Sequence, residues 1–492
     1  MAKKRNRKKK PQQKNYSTIQ DHKHQGKKLI STLRQIPNLH PSSWMNERLP
    51  DMLWAILLVK LLPREQALNV FRLIIKYIDG LPEDEKFGDI THTGIAKLPS
   101  KQLDDVLSII TFRQEHKQAL THLLLLDQLP AKEVWVKALE TDKAHSDWEP
   151  FMIAVTHTLD HQSQESTDCR WLRLMCAMIG YGLILPPEEI DNLIYYPNHG
   201  DLREVRPTIR SLEMICEKEG QDKINAERLE WADKFWDECL IKTACVPSSS
   251  NFIEAEISAG TTEEQLQEVW DFLLKHTCNT QTTSGVDAQH DTVFGMGLYC
   301  LGLLKELLRV GICHSISART TLRTIAECYI TLAYLAKKND AELWQSYRVY
   351  GAGQAKLAFL KLDESANEPS YVDVQTLEQL ANEDRWQEFL DIDIGHWDNT
   401  NLRKMSIDAD VKDVYDQFYD WTSTFAHGHW GAVRDTVFET CINPLHRLHR
   451  IPRQSTRTLP DIVPDACQVV DKVLEVVSQL YPDFPHRVTI EI

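Results

Sequence analysis

Two adjoining stretches decide the fold class: Trp44–Leu62 (WMNERLPDMLWAILLVKLL) and Pro63–Ile78 (PREQALNVFRLIIKYI). Both carry apolar residues at helical spacing, and the Pro-Arg-Glu at 63–65 is a helix start between them. Together they predict a helical hairpin. Working outward, segments near 101–127, 131–140, 147–160, 168–183, 187–195, 202–218 and 226–243 repeat the pattern, with short Pro, Gly, Asn or Asp breaks. Beyond a polar stretch from Val246 to about Val286, which holds one helix near Thr262–Thr277, six more helices are expected: Val293–Val310, Arg319–Lys337, Glu342–Leu360, Val374–Leu390, Ala409–Ala426 and Pro464–Leu480. Nineteen glycines and 21 prolines in 492 residues are too few for a sandwich, barrel or propeller that turns every ten residues. The expected fold is all-α with two helical domains, 29–245 and 289–482, joined by a linker at 246–288 and closed by a tail at 483–492. Only Arg487–Ile492 alternates like a strand, with nothing obvious to pair with.

At 26% charged and 42% apolar the chain is an ordinary globular one, and its longest apolar runs, such as Met52–Val59, are too short to cross a membrane. The charge is unevenly placed. Residues 1–28 hold eleven Lys or Arg against Asp21 alone, and against a net −15 for the whole chain this +10 segment leaves −25 on the rest. The basic segment reads as a disordered tail that keeps the chain in solution, or as an arm for nucleic acid or an acidic partner. The acidic body repels phosphate, so RNA affinity must come from that tail or from a local basic pocket. Eleven scattered cysteines without a C-x-x-C pair suggest reduced thiols and a cytoplasmic location. By the same reasoning a structural zinc site is not expected, and no cofactor is implied.

Three constellations carry chemistry. Arg319, Arg323 and Glu327 recur every four residues on one helix face, either as an exposed ion pair or as a buried pair that orients a ligand or a histidine. Tyr415, Tyr419, Ser423 and His427 form a second four-step seam that Gly428 should end, placing His427 on the last turn. There a helix C-terminus and a neighbouring hydroxyl would make it a general acid or base, unless it is simply a capping residue. The run from His446 to Arg457, with Arg447, Arg450 and Arg453 and no acid, is either a phosphate-binding surface or an exposed basic loop. Asp391, Asp393 and His396 match no strong metal motif. No phosphate-binding loop, dinucleotide fingerprint, H-E-x-x-H or G-x-S-x-G occurs, which argues against motors, dehydrogenases, zincin proteases and α/β-hydrolases.

Arg323–Glu327, Tyr347-Arg-Val-Tyr350-Gly351, Trp397 followed by Arg403, and Tyr415…Tyr419…Ser423…His427-Gly428 together resemble the all-helical bacterial family known as domain of unknown function 5677, over roughly residues 290–440. Trp44–Ile78 is similar to a helical extension that some members carry. More distantly the chain resembles the HEPN superfamily of abortive-infection proteins, in which an Arg-x4-6-His pair at a dimer interface cleaves RNA. That resemblance implies a metal-independent, defence-associated endonuclease and a homodimer. His427 would be the base, Arg323 or Arg434 the charge stabiliser, Glu327 the orienter of Arg323, and Ser423 or Tyr419 the orienter of the imidazole. The chain departs from the superfamily pattern because Trp421, Thr422 and Ser423 stand where its arginine would. The literal matches Arg309…His314 and Arg34…His40 are no more than chance supplies. The alternative is a non-catalytic binding or scaffold module in which the seam specifies helix packing.

Overall fold

The computed structural model describes residues 23–26, 28–30, 43–141, 147–160, 163–182, 187–199, 205–215, 222–248, 261–283, 286–363, 369–381, 396–398 and 400–489. The expectations for most of the basic tail, for the Arg34…His40 pair, for Asp391 and Asp393, for the end of the Val374–Leu390 helix and for the last three residues fall outside that set. Among the described residues the chain is helical, with four strands of three residues each. Lys23–Gln25 pairs antiparallel with Lys28–Ile30, so this part of the expected tail is a hairpin turned at Gly26. Phe438–Thr440 pairs with Arg450–Pro452. No described helix is long and apolar enough to cross a membrane.

The chain forms two compact units: Met1–Ser248 with Thr440–Arg450, and Ser249–Glu439 with Ile451–Ile492. The return of Thr440–Arg450 to the first unit differs from the sequence expectation, which placed all of 289–482 in one domain. Backbone pairing is the cause: Ser248 N–H donates to Thr440 O (3.0 Å) and Ile442 N–H to Val246 O (2.7 Å).

In the first unit the expected hairpin begins with a π-turn, Trp44–Arg48, and a short helix, Leu49–Asp51, before Leu53–Leu61 and Arg64–Asp79. Leu53 to Val59 are all buried, as in a helix enclosed on every side, whereas Arg64–Asp79 buries one stripe including Leu68, Phe71 and Ile74. Each such side chain contributes about 1.5–3 kcal/mol. Three indoles of this core are satisfied by carbonyls: Trp54 donates to Ile90 O (2.9 Å), Trp171 to Leu193 O (2.7 Å) and Trp231 to Pro50 O (3.0 Å).

In the second unit the Ile316–Lys338 helix is the axis. It is capped by Ser315, whose Oγ accepts from Ala318 N–H, and it ends at Asn339 in a left-handed conformation (φ 48°). Its buried face, Leu322, Ile325, Ala326, Tyr329 and Ile330, packs against Val463–Leu480, Ala288–Val310 and Asp420–Ala426.

Candidate functional site

The second polar seam is built differently from an uninterrupted helix. Lys412–Val414 runs into a π-turn, Tyr415–Tyr419, and then into Asp420–Ala426. The wider turn places one extra residue in the loop closed by Asp420 N–H and Tyr415 O, so the four-step face is rotated between its first and last members. Tyr415 and Tyr419 stay together, with ring centroids 5.0 Å apart. The end of the helix is as its sequence suggests: Gly428 is left-handed at φ 59°, and His429 N–H closes back on Thr424 O (2.9 Å).

The two seams meet at one point. Arg323 Nη2 donates to the Tyr419 hydroxyl (2.9 Å), its guanidinium lies 4.8 Å above the Tyr419 ring, and Nη1 pairs with Glu327 (3.0 Å). Arg323 is largely buried, with its side chain 19% exposed, and Glu327 is at 40%. Arg319, one turn earlier, is buried and donates to the carbonyls of Cys313 and Pro460.

His427 is not brought to this point. It is exposed at the helix end, eight residues beyond Tyr419, which is about 12 Å along the axis at 1.5 Å per residue. What joins it to Ser423 is the backbone bond from His427 N–H to Ser423 O (3.2 Å). Its ring lies instead against His429, centroids 5.7 Å apart and 29° between planes, in a stretch of chain where Trp421 and Trp430 are also exposed. Arg434 is exposed on the following helix, Trp430–Val437.

The basic run is divided between the two units. Arg447 and Arg450 belong to the first unit, and Arg453 and Arg457 to the second. Each arginine is engaged locally: Arg447 lies 5.6 Å from the Trp236 ring centroid and 3.8 Å from Asp233, Arg450 donates to Thr440 Oγ1 (2.7 Å), Arg453 to Phe438 O (3.2 Å), and Arg457 pairs with Asp435. His396 packs beside Trp397 and Tyr350.

These positions place the quoted motifs around one helix. Residues 304–440 match a family described as a family of unknown function (DUF5677). No match was found among curated proteins or among solved structures. The match takes in Arg323, Glu327, Tyr347, Tyr415, Tyr419, Ser423 and His427. Beside Glu327 an open groove of about 630 Å³ is lined by Asp291, Met296, Tyr299, Cys328, Tyr347 and Arg348. Burial, reinforced by Cys328, Cys300 and Glu327, pushes the Tyr347 phenol up to about 12, so it enters the groove as a neutral hydroxyl. The Tyr347 ring is held edge-on by Trp397 at 5.3 Å, and Arg348 lies 3.6 Å from Asp291. The sequence offered Tyr347 and Trp397 as motif residues. It gave no sign of Asp291 or Tyr299, which precede the matched region and reach the groove only through helix packing.

Proposed function

We propose that the matched region is a non-catalytic binding module, in which Arg323, Glu327 and Tyr419 fix the helices and the neighbouring groove takes a small, flat, partly apolar ligand with a polar edge. The carrying observation is that the guanidinium of Arg323 is committed to Tyr419 and Glu327 while His427 stands two turns away in solvent. The groove volume falls within the usual 300–1,000 Å³ of ligand sites, and its tyrosines, methionine and Arg348–Asp291 pair offer stacking and a few fixed polar contacts. Gly295 supplies the test. Gly295 lines the groove and a Cβ built there meets nothing within 4 Å, so Gly295→Phe starts a bulky side chain from open space in the groove wall. Thermal-shift screening of nucleosides, nucleotides and aromatic acids should yield a stabilising compound for the wild type that has no effect on Gly295→Phe. A panel that shifts neither protein, or both equally, refutes the groove.

One observation favours a second reading, a HEPN-like, defence-associated RNA endonuclease acting from the helix end. His427 and His429 lie ring to ring, and Trp421 and Trp430 in the same stretch of chain expose aromatic faces of the kind on which unstacked bases sit. One imidazole would accept the 2′-hydroxyl proton and the other protonate the departing 5′-oxygen, without metal. RNA cleavage that disappears in both His427→Ala and His429→Ala, with the far-ultraviolet circular dichroism unchanged, would establish this reading and displace the non-catalytic one.

A further inference from the structure

Cys245, Cys441, His446 and His449 all belong to the first unit, and one donor atom from each lies within 4.8 Å of the other three. The sequence hides this cluster: three donors share nine residues, but Cys245 is nearly two hundred positions away. Backbone pairing assembles it. Val246–Ser248 runs beside Thr440–Ile442, and Cys441 N–H donates to His449 O (2.9 Å), so Cys245, Cys441 and His449 lie across neighbouring chain segments. Arg447 and Leu448 are consecutive left-handed residues (φ 50° and 53°), a conformation neither favours, and the turn they make brings His446 and His449 to the same side.

We infer that these four residues form a structural Zn²⁺ site of Cys2His2 type, which fastens the Thr440–Arg450 segment to the end of the Asp222–Lys242 helix. Zinc–sulfur bonds of about 2.3 Å and zinc–nitrogen bonds of about 2.0 Å at tetrahedral angles require sulfur–nitrogen edges of about 3.5 Å. Two such edges are present: Cys245 Sγ to His449 Nε2 at 3.2 Å, and Cys441 Sγ to His446 Nδ1 at 3.3 Å.

The tautomer of His446 is fixed from outside the cluster. The Thr243 hydroxyl donates its proton to Cys239 O (2.8 Å), so towards His446 Nε2, 2.8 Å away, it acts as an acceptor. An accepting Thr243 favours the tautomer with the ring proton on Nε2 and the Nδ1 lone pair towards Cys441; the Asn443 Nδ2 that lies 3.3 Å from Nε2 has Thr243 Oγ1 and Ala244 O as its own acceptors. A ring nitrogen held by an outer partner while the other faces the donors is how metal-bound histidines are oriented. Asn443 supports the same hydroxyl, with Nδ2 donating to Thr243 Oγ1 (3.1 Å) and to Ala244 O (2.8 Å). Val246 N–H points at Cys441 Sγ (3.4 Å) and so holds the sulfur in place from the neighbouring segment. Two thiolates and two neutral imidazoles balance the charge of a divalent ion, and the soft sulfur donors select zinc over calcium or magnesium. Four protein donors leave no position for substrate, so the role is structural.

Binding releases one proton from each thiol to solvent, and no electron moves. The full-length chain, expressed with zinc and purified without chelator, should carry one zinc per chain by plasma mass spectrometry. Cys245→Ser and His449→Gln, which change the two donors nearer solvent, should lose most of that metal while keeping helical content. Cys278→Ser, an exposed cysteine in the second unit, should keep it. Chelation of the wild type should open Cys245 and Cys441 to alkylation, and cobalt exchange should give the visible bands of a tetrahedral thiolate complex, both readable even if a variant unfolds. Three results overturn the site: a zinc-free wild type, a Cys245–Cys441 disulfide in protein purified under reductant, or full metal content in both ligand variants.

Discussion

Whether the Arg323–Tyr419 contact is packing or catalysis can be decided by its coupling energy. Tyr419→Phe keeps the ring face and removes the acceptor at 2.9 Å, which should cost about 1–2 kcal/mol because Arg323 Nη2 loses its partner in a largely enclosed position. Arg323→Met removes that bond and the cation–π contact, worth together about 1.5–3 kcal/mol, offset in part because Arg323 Nε is buried without a partner and would no longer need solvation. The Glu327 pair adds only a few tenths, since that carboxylate is 40% exposed. The double variant should therefore be less damaged than the sum of its parts by about 1–2 kcal/mol. With two compact units a single unfolding curve is ambiguous, so the readout should be native-state hydrogen exchange on peptides covering 316–338 and 415–426. A coupling within about 0.5 kcal/mol of zero would refute the packing role and return Arg323 to the candidates for substrate contact.

Three further outcomes follow from the first unit. Gly180→Ala should destabilise it by about 1–3 kcal/mol or more, because the added Cβ would fall onto the Phe87 carbonyl carbon, and backbone cannot give way as a side chain can; native-state hydrogen exchange on peptides covering 164–181 reads this. Asp168→Asn should cost about 3–5 kcal/mol, read by hydrogen exchange on peptides covering 64–79 and 164–181, since Asp168 is fully buried, accepts two bonds from Arg64 (2.8 and 2.9 Å) and one from Tyr196 (2.9 Å), and the substitution leaves the arginine without its counter-charge. Burial lowers His92 to about 3, so its contribution is complete above the unfolded value of 6.5 and is lost as pH falls towards 3; burial and the nearby Asp89 raise Asp51 to about 6, so its contribution is complete below 3.8 and is lost as pH rises through 6. The two slopes oppose one another between pH 4 and 6, so Asp51→Asn should make stability fall more steeply with acid there than in the wild type, while an unchanged profile would contradict the raised Asp51 value.

The helices were legible because a 3.6-residue apolar period is local information, and Leu53–Leu61, Ile316–Lys338 and Val463–Leu480 fall close to where that period places them. The Gly428 stop was legible for the same reason. The π-turn at Tyr415–Tyr419 was not: tyrosines four apart read identically in an α-helix and in the wider turn, which differ in the backbone bond from Asp420 N–H to Tyr415 O. The seam therefore contained the right residues for a contact with Arg323 but assigned that contact to His427, two turns too far along. The basic run misled in another way. Composition cannot show that Arg457 faces Asp435, or that Arg447 covers Trp236, because those partners come from elsewhere in the chain.

Residue 440 separates two kinds of feature. Arg323, Glu327, Tyr347 and Tyr419 lie inside the matched region, 304–440. Cys245, Cys441, His446 and His449 all lie outside it, and their cluster requires the chain to leave the first unit after Ser248 and come back at Thr440. Closing so long a loop costs about 4–5 kcal/mol of chain entropy by the logarithmic rule, whereas a structural zinc ion of this donor type supplies on the order of 10–16 kcal/mol. Binding therefore outweighs closure, and the backbone bonds at Val246, Ser248 and Cys441 have met part of that cost beforehand. Zinc content in this chain then reports something no single helix can: whether the returning segment has reached its place in the first unit.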